Sequence, residues 1–433
     1  MLNRFVVRVT IVVMLCFIAG ACNPMQPDNP VSIPSLAPPT NLLTRTDLKQ
    51  SPTNDKYPGN VAYLSDRSDF VELWLYDIEL SDSRQLTASD CTDQGASHGS
   101  FKPGVQFFTW SPNGQRIAYA VTCSFYGRTK ILILDLETGK TAMVGIGDRY
   151  SSYPSWSPDG TRFVFGRGVP GFSDGKEQGI YRVNLQKNGD SIAGKIEQII
   201  SEEYCYHGCL YTTWSPDGRY IAYQGARVPA VQVSRNPASI ADAEQYLSDN
   251  QPATPIEHSI GIHDLSPHGL AWSPNSQLLA IATPHSYSNA YLTVVSINDP
   301  TKSRFYLHES SVNSPNLFGP GFYTPVFSPD SAALYFVANP VDATGDWPGP
   351  FGVIYRVPLS VDPKNPTKDV QAVSEEGQLA GFPSLSHNGK WLAYTVLTGA
   401  TSEIWLQTLD GQARQKMVGD GYLNTQPAWQ PSK

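Results

Sequence analysis

One pattern of apolar and polar positions recurs along the chain. A short apolar run ends in Trp, a Ser-Pro-Asp/Asn-Gly tetrad follows, and apolar and polar positions then alternate. The copies read FTWSPNGQRIAYA (108–120), PSWSPDGTRFVFG (154–166), TTWSPDGRYIAYQ (212–224), LAWSPNSQLLAIA (270–282), PVFSPDSAALYFV (325–337) and PSLSHNGKWLAYT (383–395), with a truncated PAWQPSK (427–433) at the end. The closing positions Trp110, Trp156, Trp214, Trp272, Phe327, Leu385 and Trp429 stand 44–58 residues apart. The tetrad is a turn: Pro pre-sets φ, Asp or Asn bonds its own backbone, and Gly takes φ > 0. Period-2 alternation, as in Gln115 to Tyr119, predicts a half-buried strand after it. Further strand-like runs such as Ile131–Leu134, closed by turn residues, complete a four-stranded unit. Strand-rich repeats of this length stack as a propeller or a solenoid.

The ends complement each other. Residues 60–87 read as the second, third and fourth strands of a unit that lacks its first, and residues 425–430 as a first strand without the rest. Joining them closes a ring and hides both sheet edges. The expected fold is all-β: a seven-bladed β-propeller of four-stranded antiparallel blades, residues 60–433, whose terminal strands share one blade. An irregular fourth unit leaves six or eight blades as alternatives.

Composition agrees. Charged residues are 16%, while Gly and Pro number 35 each and Trp, Tyr and Phe number 9, 22 and 17, a balance suited to short strands and turns rather than long helices. A hydrophobic share of 40% excludes global disorder. With 31 Lys+Arg against 39 Asp+Glu the net charge is −8, and no basic stripe exists for phosphates, so nucleic acid is not an expected partner.

The N-terminus reads as an address. Arg4 and Arg8 precede the apolar run VTIVVMLCFIAG (9–20), too short to span a bilayer, which takes about 20 residues, but suited to a signal peptide. The run ends in Ala19-Gly20-Ala21-Cys22, which resembles a bacterial lipoprotein cleavage box, with Ala19 where Leu is usual. The expectation is a lipoprotein signal over 1–21, lipid on Cys22, and a Pro/Asn/Ser-rich tether over 22–59 holding a monomeric propeller at a membrane, facing the periplasm or cell exterior. An ordinary signal peptide is the alternative. Four cysteines then remain: Cys91, Cys123, Cys205 and Cys209. An even number in an oxidising compartment suggests disulfides. Spacing favours Cys205–Cys209 and Cys91–Cys123. A metal site at Cys205, His207 and Cys209 lacks the second ligand pair that zinc needs.

Strand order assigns the short tetrad turns to one side of the disc and the long, irregular segments to the other. That second side carries all four of these cysteines. It also carries Tyr150, Tyr153, Tyr206, His207, Tyr211, His268, Tyr323, Phe382 and Tyr422, the candidate ligand- or partner-binding residues, with His98, Tyr204, Phe322, Trp347 and Phe351 near them. Variable loops on a rigid scaffold are where recognition sits, and aromatics supply contact area with a polar handle. The bland alternative is that these rings pack loops onto the disc. Residues 236–250 (NPASIADAEQYLSDN) read as a short helix over this side, a plug or a lid.

Catalytic signals are sparse, and no catalytic or metal residue is assigned. Gly95-Ala96-Ser97-His98-Gly99 has the spacing of a nucleophile elbow, but polar loop surrounds it instead of a strand and a helix. Gly139-Lys140-Thr141 lacks the upstream Gly of a phosphate loop. His258, His263 and His268 alternate faces on a strand. Asp159, Asp217 and Asp330 read as turn caps. No cofactor is implied, and a Ca²⁺ in the channel is left open.

The WSPDG-plus-strand units resemble the WD-like repeats of the TolB propeller family over residues 60–430, and more loosely the propeller of dipeptidyl peptidase IV. The resemblance implies the fold, which hosts many functions. The TolB α/β domain is not evident before residue 60, so that family's partner contacts are not carried over. A hydrolase domain like that of the dipeptidyl peptidases is not evident after the propeller. Two readings follow: a lipid-anchored, non-enzymatic scaffold that binds a protein or small extracytoplasmic ligand through its loop side and channel mouth, or a propeller lyase or hydrolase acting there on carbohydrate or peptide.

Overall fold

The computed structural model describes residues 59–91, 102–123, 129–147, 152–167, 179–188, 191–200, 209–225, 231–235, 256–260, 269–282, 291–308, 321–339, 350–360, 362, 366–375 and 377–431. The strands form antiparallel sheets in chain order. Four-stranded sheets span 104–147, 152–200, 209–260 and 270–308. Another takes three strands from 61–85 and its fourth, Asn424–Trp429, from the far end of the chain. An eight-stranded sheet runs over 322–418. The terminal strand pairs with Val61–Ser65 (Val61↔Trp429, Ser65↔Asn424), as the complementary ends predict.

Each sheet packs face to face on the next. Leu73, Leu75 and Leu86 meet Val105, Ile117 and Tyr119. Ala118 and Ile133 meet Trp156 and Phe163, and Val164 and Ile180 meet Trp214 and Tyr223. Ala222 meets Trp272 and Leu279, and Val294 and Leu307 meet Phe322 and Phe336. Within the eight-stranded sheet Val337 and Ile354 meet Leu392 and Tyr394. Ala393 and Leu406 then meet Val61 and Trp429, which returns to the start. A ring of sheets closed in this way is a β-propeller.

Burial differs from the half-buried alternation expected after each turn. Arg116–Thr122 is buried at every position but the first, and Leu278–Ala282 at all five. The reason is the stacking. Ile117 and Tyr119 enter one interface while Ala118 and Ala120 enter the next, so both faces of the strand are covered.

The repeated tetrad builds the ring. Ser Oγ donates to the Asp or Asn Oδ1 two residues on at 2.5–2.8 Å and accepts the backbone N–H five residues on at 2.8–3.0 Å, in the turns at Ser111, Ser157, Ser215, Ser273, Ser328 and Ser386. The Asp residues are therefore turn caps. Burial pushes the Asp159 carboxyl up, but bonds from Ser157 and Thr161 and the Arg162 charge outweigh it and bring it down to about 2. Ser276 and Ser331 stand in the Gly position with φ of 59° and 58°, and each hydroxyl accepts the N–H of Asp217 or Asn275 from the preceding turn. The Trp is a bolt between sheets. Trp110 Nε1 donates to Ala428 O (3.1 Å), Trp156 Nε1 to Thr109 O (3.2 Å), Trp272 Nε1 to Thr213 O (3.2 Å) and Trp429 Nε1 to Ser384 O (3.1 Å). Trp214 departs: its indole bonds Gly218 O in its own turn, and its backbone N–H donates to Ser155 Oγ (2.9 Å).

Cys91 and Cys123 form a disulfide between the sheet that begins at Val61 and the sheet that begins at Gly104. The Cys205–Cys209 pairing, the 236–250 helix, Cys22, the signal segment and residues 22–58 of the tether lie outside the described residues. Among the described residues no helix is long and apolar enough to cross a membrane.

Candidate functional site

The innermost strands are Gly104–Trp110, Ser152–Trp156, Cys209–Trp214, Leu270–Trp272, Phe322–Phe327, Leu379–Leu385 and Asn424–Trp429. Several share a bulge. Pairing slips between Val105 and Phe107, Ser152 and Ser155, Leu210 and Thr213, Tyr323 and Val326, and Gly381 and Ser384. At this bulge the residue three before the closing position takes left-handed φ in four strands: Tyr211 (51°), Thr324 (45°), Phe382 (52°) and Gln426 (54°). None is Gly, and such backbone is strained. Pro follows at 325, 383 and 427, and Pro154 holds the same place in its strand. A Pro fits because this edge faces the axis and has no further strand to pair with.

These bulges wall a cavity of about 350 Å³ on the axis, to which each of these innermost strands contributes. Phe108, Tyr211, Leu270, Val326 and Phe382 supply apolar surface, four prolines supply stiff backbone, and Thr324 and Gln426 supply polar groups. No described lining side chain is ionised at neutral pH. Burial pushes the Tyr211 phenol up to about 12, so it stays neutral too. Two wall hydroxyls are used in construction: Ser155 Oγ accepts from Trp214 N, and Ser384 Oγ accepts from Trp429 N (3.3 Å). Among the described residues no cluster of three His, Cys, Asp or Glu gathers to hold a metal. The described wall can enclose a neutral molecule, and no acidic or basic side chain stands among the described lining residues.

Of the expected binding residues, Tyr211 and Phe382 come together in this cavity, and Phe382 also packs edge-on against Phe351 at 5.5 Å. Tyr323 points elsewhere. It is 5% exposed between sheets, beside Val337 and Leu392, and burial pushes its phenol up to about 12. Tyr422 is exposed on the turn that leads into Asn424–Trp429 and does not line the cavity. The backbones of Tyr153 and Cys209 lie in innermost strands, with their side chains outside the described set. Tyr150, Tyr206, His207, His268 and Cys205 lie outside it entirely. Sequence reasoning passed over Phe108, Thr324 and Gln426. Aligning the copies on Trp and reading two or three residues back would have found them.

The fold and cavity define a class, a β-propeller with an axial chamber whose described lining residues are uncharged. The family model for the dipeptidyl peptidase IV (DPP IV) N-terminal region matches residues 124–255. Dipeptidyl-peptidase 5 of Porphyromonas gingivalis is 28% identical over 152 residues, 33% of this chain and 21% of that protein. The chain thus spans about a fifth of the length of that curated relative. Among solved structures, TolB from Acinetobacter baumannii is similar at 15% identity, with 87% of this chain and 69% of that one covered and a TM-score of 0.44. The β-propeller domain of the Trilobed protease from Pyrococcus furiosus is similar at 13% identity, with 73% and 86% covered and a TM-score of 0.44.

Proposed function

We propose that this protein is an exported, lipid-anchored, seven-bladed propeller that binds a protein or small extracytoplasmic ligand at its axial chamber and the loops around it, without catalysis. The observation that carries this is the described chamber wall, where aromatic, proline and neutral polar groups converge and, among the described lining residues, no ionised group does. Two points support seven blades. The eight-stranded sheet is two runs joined only at Phe351↔Gly381 and Gly352↔Ala380, and each run opens on its own copy of the repeat. The Cys91–Cys123 bridge suits an oxidising compartment, and the cleavage box at Cys22 supplies the anchor to an envelope membrane.

A second reading, a peptide-cleaving propeller, draws on the partial match to a dipeptidyl-peptidase. One experiment separates the two. The Tyr211→Ala/Phe382→Ala variant and the wild type are offered neutral oligosaccharides and uncharged peptides, and both retention and cleavage are followed. Retention without turnover that the variant loses, while it stays folded at the assay temperature, is the expected result. Turnover, or retention unaffected by the variant, overturns it. Release of the envelope-bound protein by Cys22→Ser tests the anchor.

A further inference from the structure

The longest hairpin among the described residues joins Gly179–Asn188 to Ser191–Ile200, ten residues each. The next strand inward, Arg162–Arg167, pairs with it only from Gly179 to Asn184. Past that point the pairs Gln186↔Ala193, Lys187↔Ile192 and Asn188↔Ser191 make a ribbon two strands wide. Such a ribbon is marginal in water, and a third strand is what stabilises it. Ser191–Ile200 is the outermost strand of its sheet, so among the described residues no strand pairs with its outer edge. A long edge of this kind invites a further strand. Of the exposed large apolar side chains described, Leu80 and Tyr422 stand on turns, and only Ile196 stands on a strand. It is 43% exposed and lies between Lys195 and Glu197, whose side chains meet at 3.0 Å.

We infer that this edge is an interface with a second copy of the chain, the two Ser191–Ile200 strands pairing antiparallel about a two-fold axis at Ile196. Such a pairing is isologous and runs one sheet through both copies. A two-fold sets each residue opposite the one equally far beyond the axis. Centred on Ile196, it sets that side chain against its counterpart and Lys195 of each copy opposite Glu197 of the other. Centred one residue either way, it would oppose Lys195 to Lys195 or Glu197 to Glu197, and like charges directly opposite destabilise a sheet. Glu197 is ionised, because bonds from Lys195, Arg182 and Asn184 bring its carboxyl down to about 2. The four charges of the two copies therefore alternate around the axis. Backbone bonds and the apolar contact supply affinity, while exposed charges fix the register. The same register lays Ile192 and Ala193 of the ribbon opposite Ile200 and Ile199 of the other copy, which gives the ribbon its third strand. This dimer replaces the monomer expected from sequence, and it uses no residue of the chamber.

The test follows the full chain in mild detergent by sedimentation equilibrium, beside Ile196→Lys and Lys195→Glu, with circular dichroism as the check on folding. The wild type is expected to show a reversible monomer–dimer equilibrium. Ile196→Lys sets two ammonium groups at the axis, and Lys195→Glu sets a carboxylate opposite each Glu197. Each should raise the dimer Kd about tenfold with the dichroism unchanged. In intact cells, Ile196→Cys treated with a short bis-maleimide should give a band of twice the chain mass that contains this chain alone. A wild type that stays monomeric, a dimer indifferent to Ile196→Lys, or a cross-link only to a different protein overturns the inference. A dimer weakened by Ile196→Lys but not by Lys195→Glu overturns the register and keeps the edge. Should Ile196→Lys fail to fold, Lys195→Glu, at a side chain 71% exposed, and the cross-link decide the matter.

Discussion

Replacing both cysteines of the interblade bridge, Cys91→Ala/Cys123→Ala, should destabilise the fold by an amount that the chain itself sets. The bridged residues are 32 apart in sequence. Closing a loop of that length removes denatured-state entropy equivalent to about 4 kcal/mol at 25 °C. Unfolding entropy near 60 °C is about 2 cal/mol/K per residue, so a propeller of about 370 residues loses about 5 °C of melting temperature for that energy. Alanine is the right probe because Cys91 is buried among Leu73, Val105 and Leu132, where a Ser hydroxyl would add its own desolvation cost. Calorimetry on purified wild type and variant reads the shift. Thiol alkylation and mass spectrometry of protein taken from intact cells reads whether both cysteines are blocked before reduction. A variant that melts within 1 °C of wild type, or a Cys91 that alkylates freely in protein from cells, would refute the reasoning. The second result would also remove the support this bridge gives to export.

Gly114→Ala should cost several-fold more than Gly160→Ala in denaturant unfolding. Both have φ near +65°, but a Cβ at 114 would sit 2.3 Å from Pro431 O at the ring closure, whereas at 160 the nearest atom is 3.6 Å away; equal costs would contradict this. Trp156→Phe should lose about 1–3 kcal/mol in urea unfolding, combining the lost bond to Thr109 O with the smaller ring. Asp159→Asn should be nearly neutral at pH 7, because Asn already fills this turn position at 113, 275 and 388. Its effect should show in acid: the folded carboxyl lies near 2 against an ordinary 3.8, so its stabilisation is present above 3.8 and lost as pH falls towards 2, a loss the variant should not show in pH-dependent melting. Glu72 runs the other way. Burial raises its pKa despite bonds from Thr87 and Ser89, so its contribution is full below the ordinary 4.5 and lost as pH rises through the folded value; the melting-temperature gap between Glu72→Gln and wild type should therefore grow in the variant's favour from pH 4 to 7.

The ring was legible before any coordinates because its signals are local and repeated. The tetrad announces a turn wherever it stands, and residues 60–87 and 425–430 each lack what the other supplies. Two features were harder to read. Period-2 alternation cannot reveal that Arg116–Thr122 is covered on both faces, since the second cover comes from a sheet some 40 residues further on. Nor can it say which residues face the axis. The bulge between Tyr323 and Val326 inserts an extra residue, so Tyr323 turns into the interface and Thr324 into the chamber. That is why Tyr323 and Phe382, both aromatic and on adjoining innermost strands, have different surroundings.

The division of labour within the repeat tells where specificity has to reside. The Trp indole, the Ser hydroxyl and the Asp or Asn carboxyl or amide oxygen are consumed in holding sheet to sheet and turn to turn. A group already bonded in the scaffold has little left to offer a guest, so the repeated positions cannot distinguish one ligand from another. The column three residues before Trp does not repeat one set of bonds, and there the copies diverge into aromatic, glycine, threonine and glutamine. Were all copies alike at that column, the hole would be symmetric and a guest would find the same wall in every direction. Gly269 and Thr324, on two neighbouring strands, break that equivalence. Any difference between one side of the chamber wall and another is therefore encoded by departure from the repeat, on strands that the repeat itself holds together.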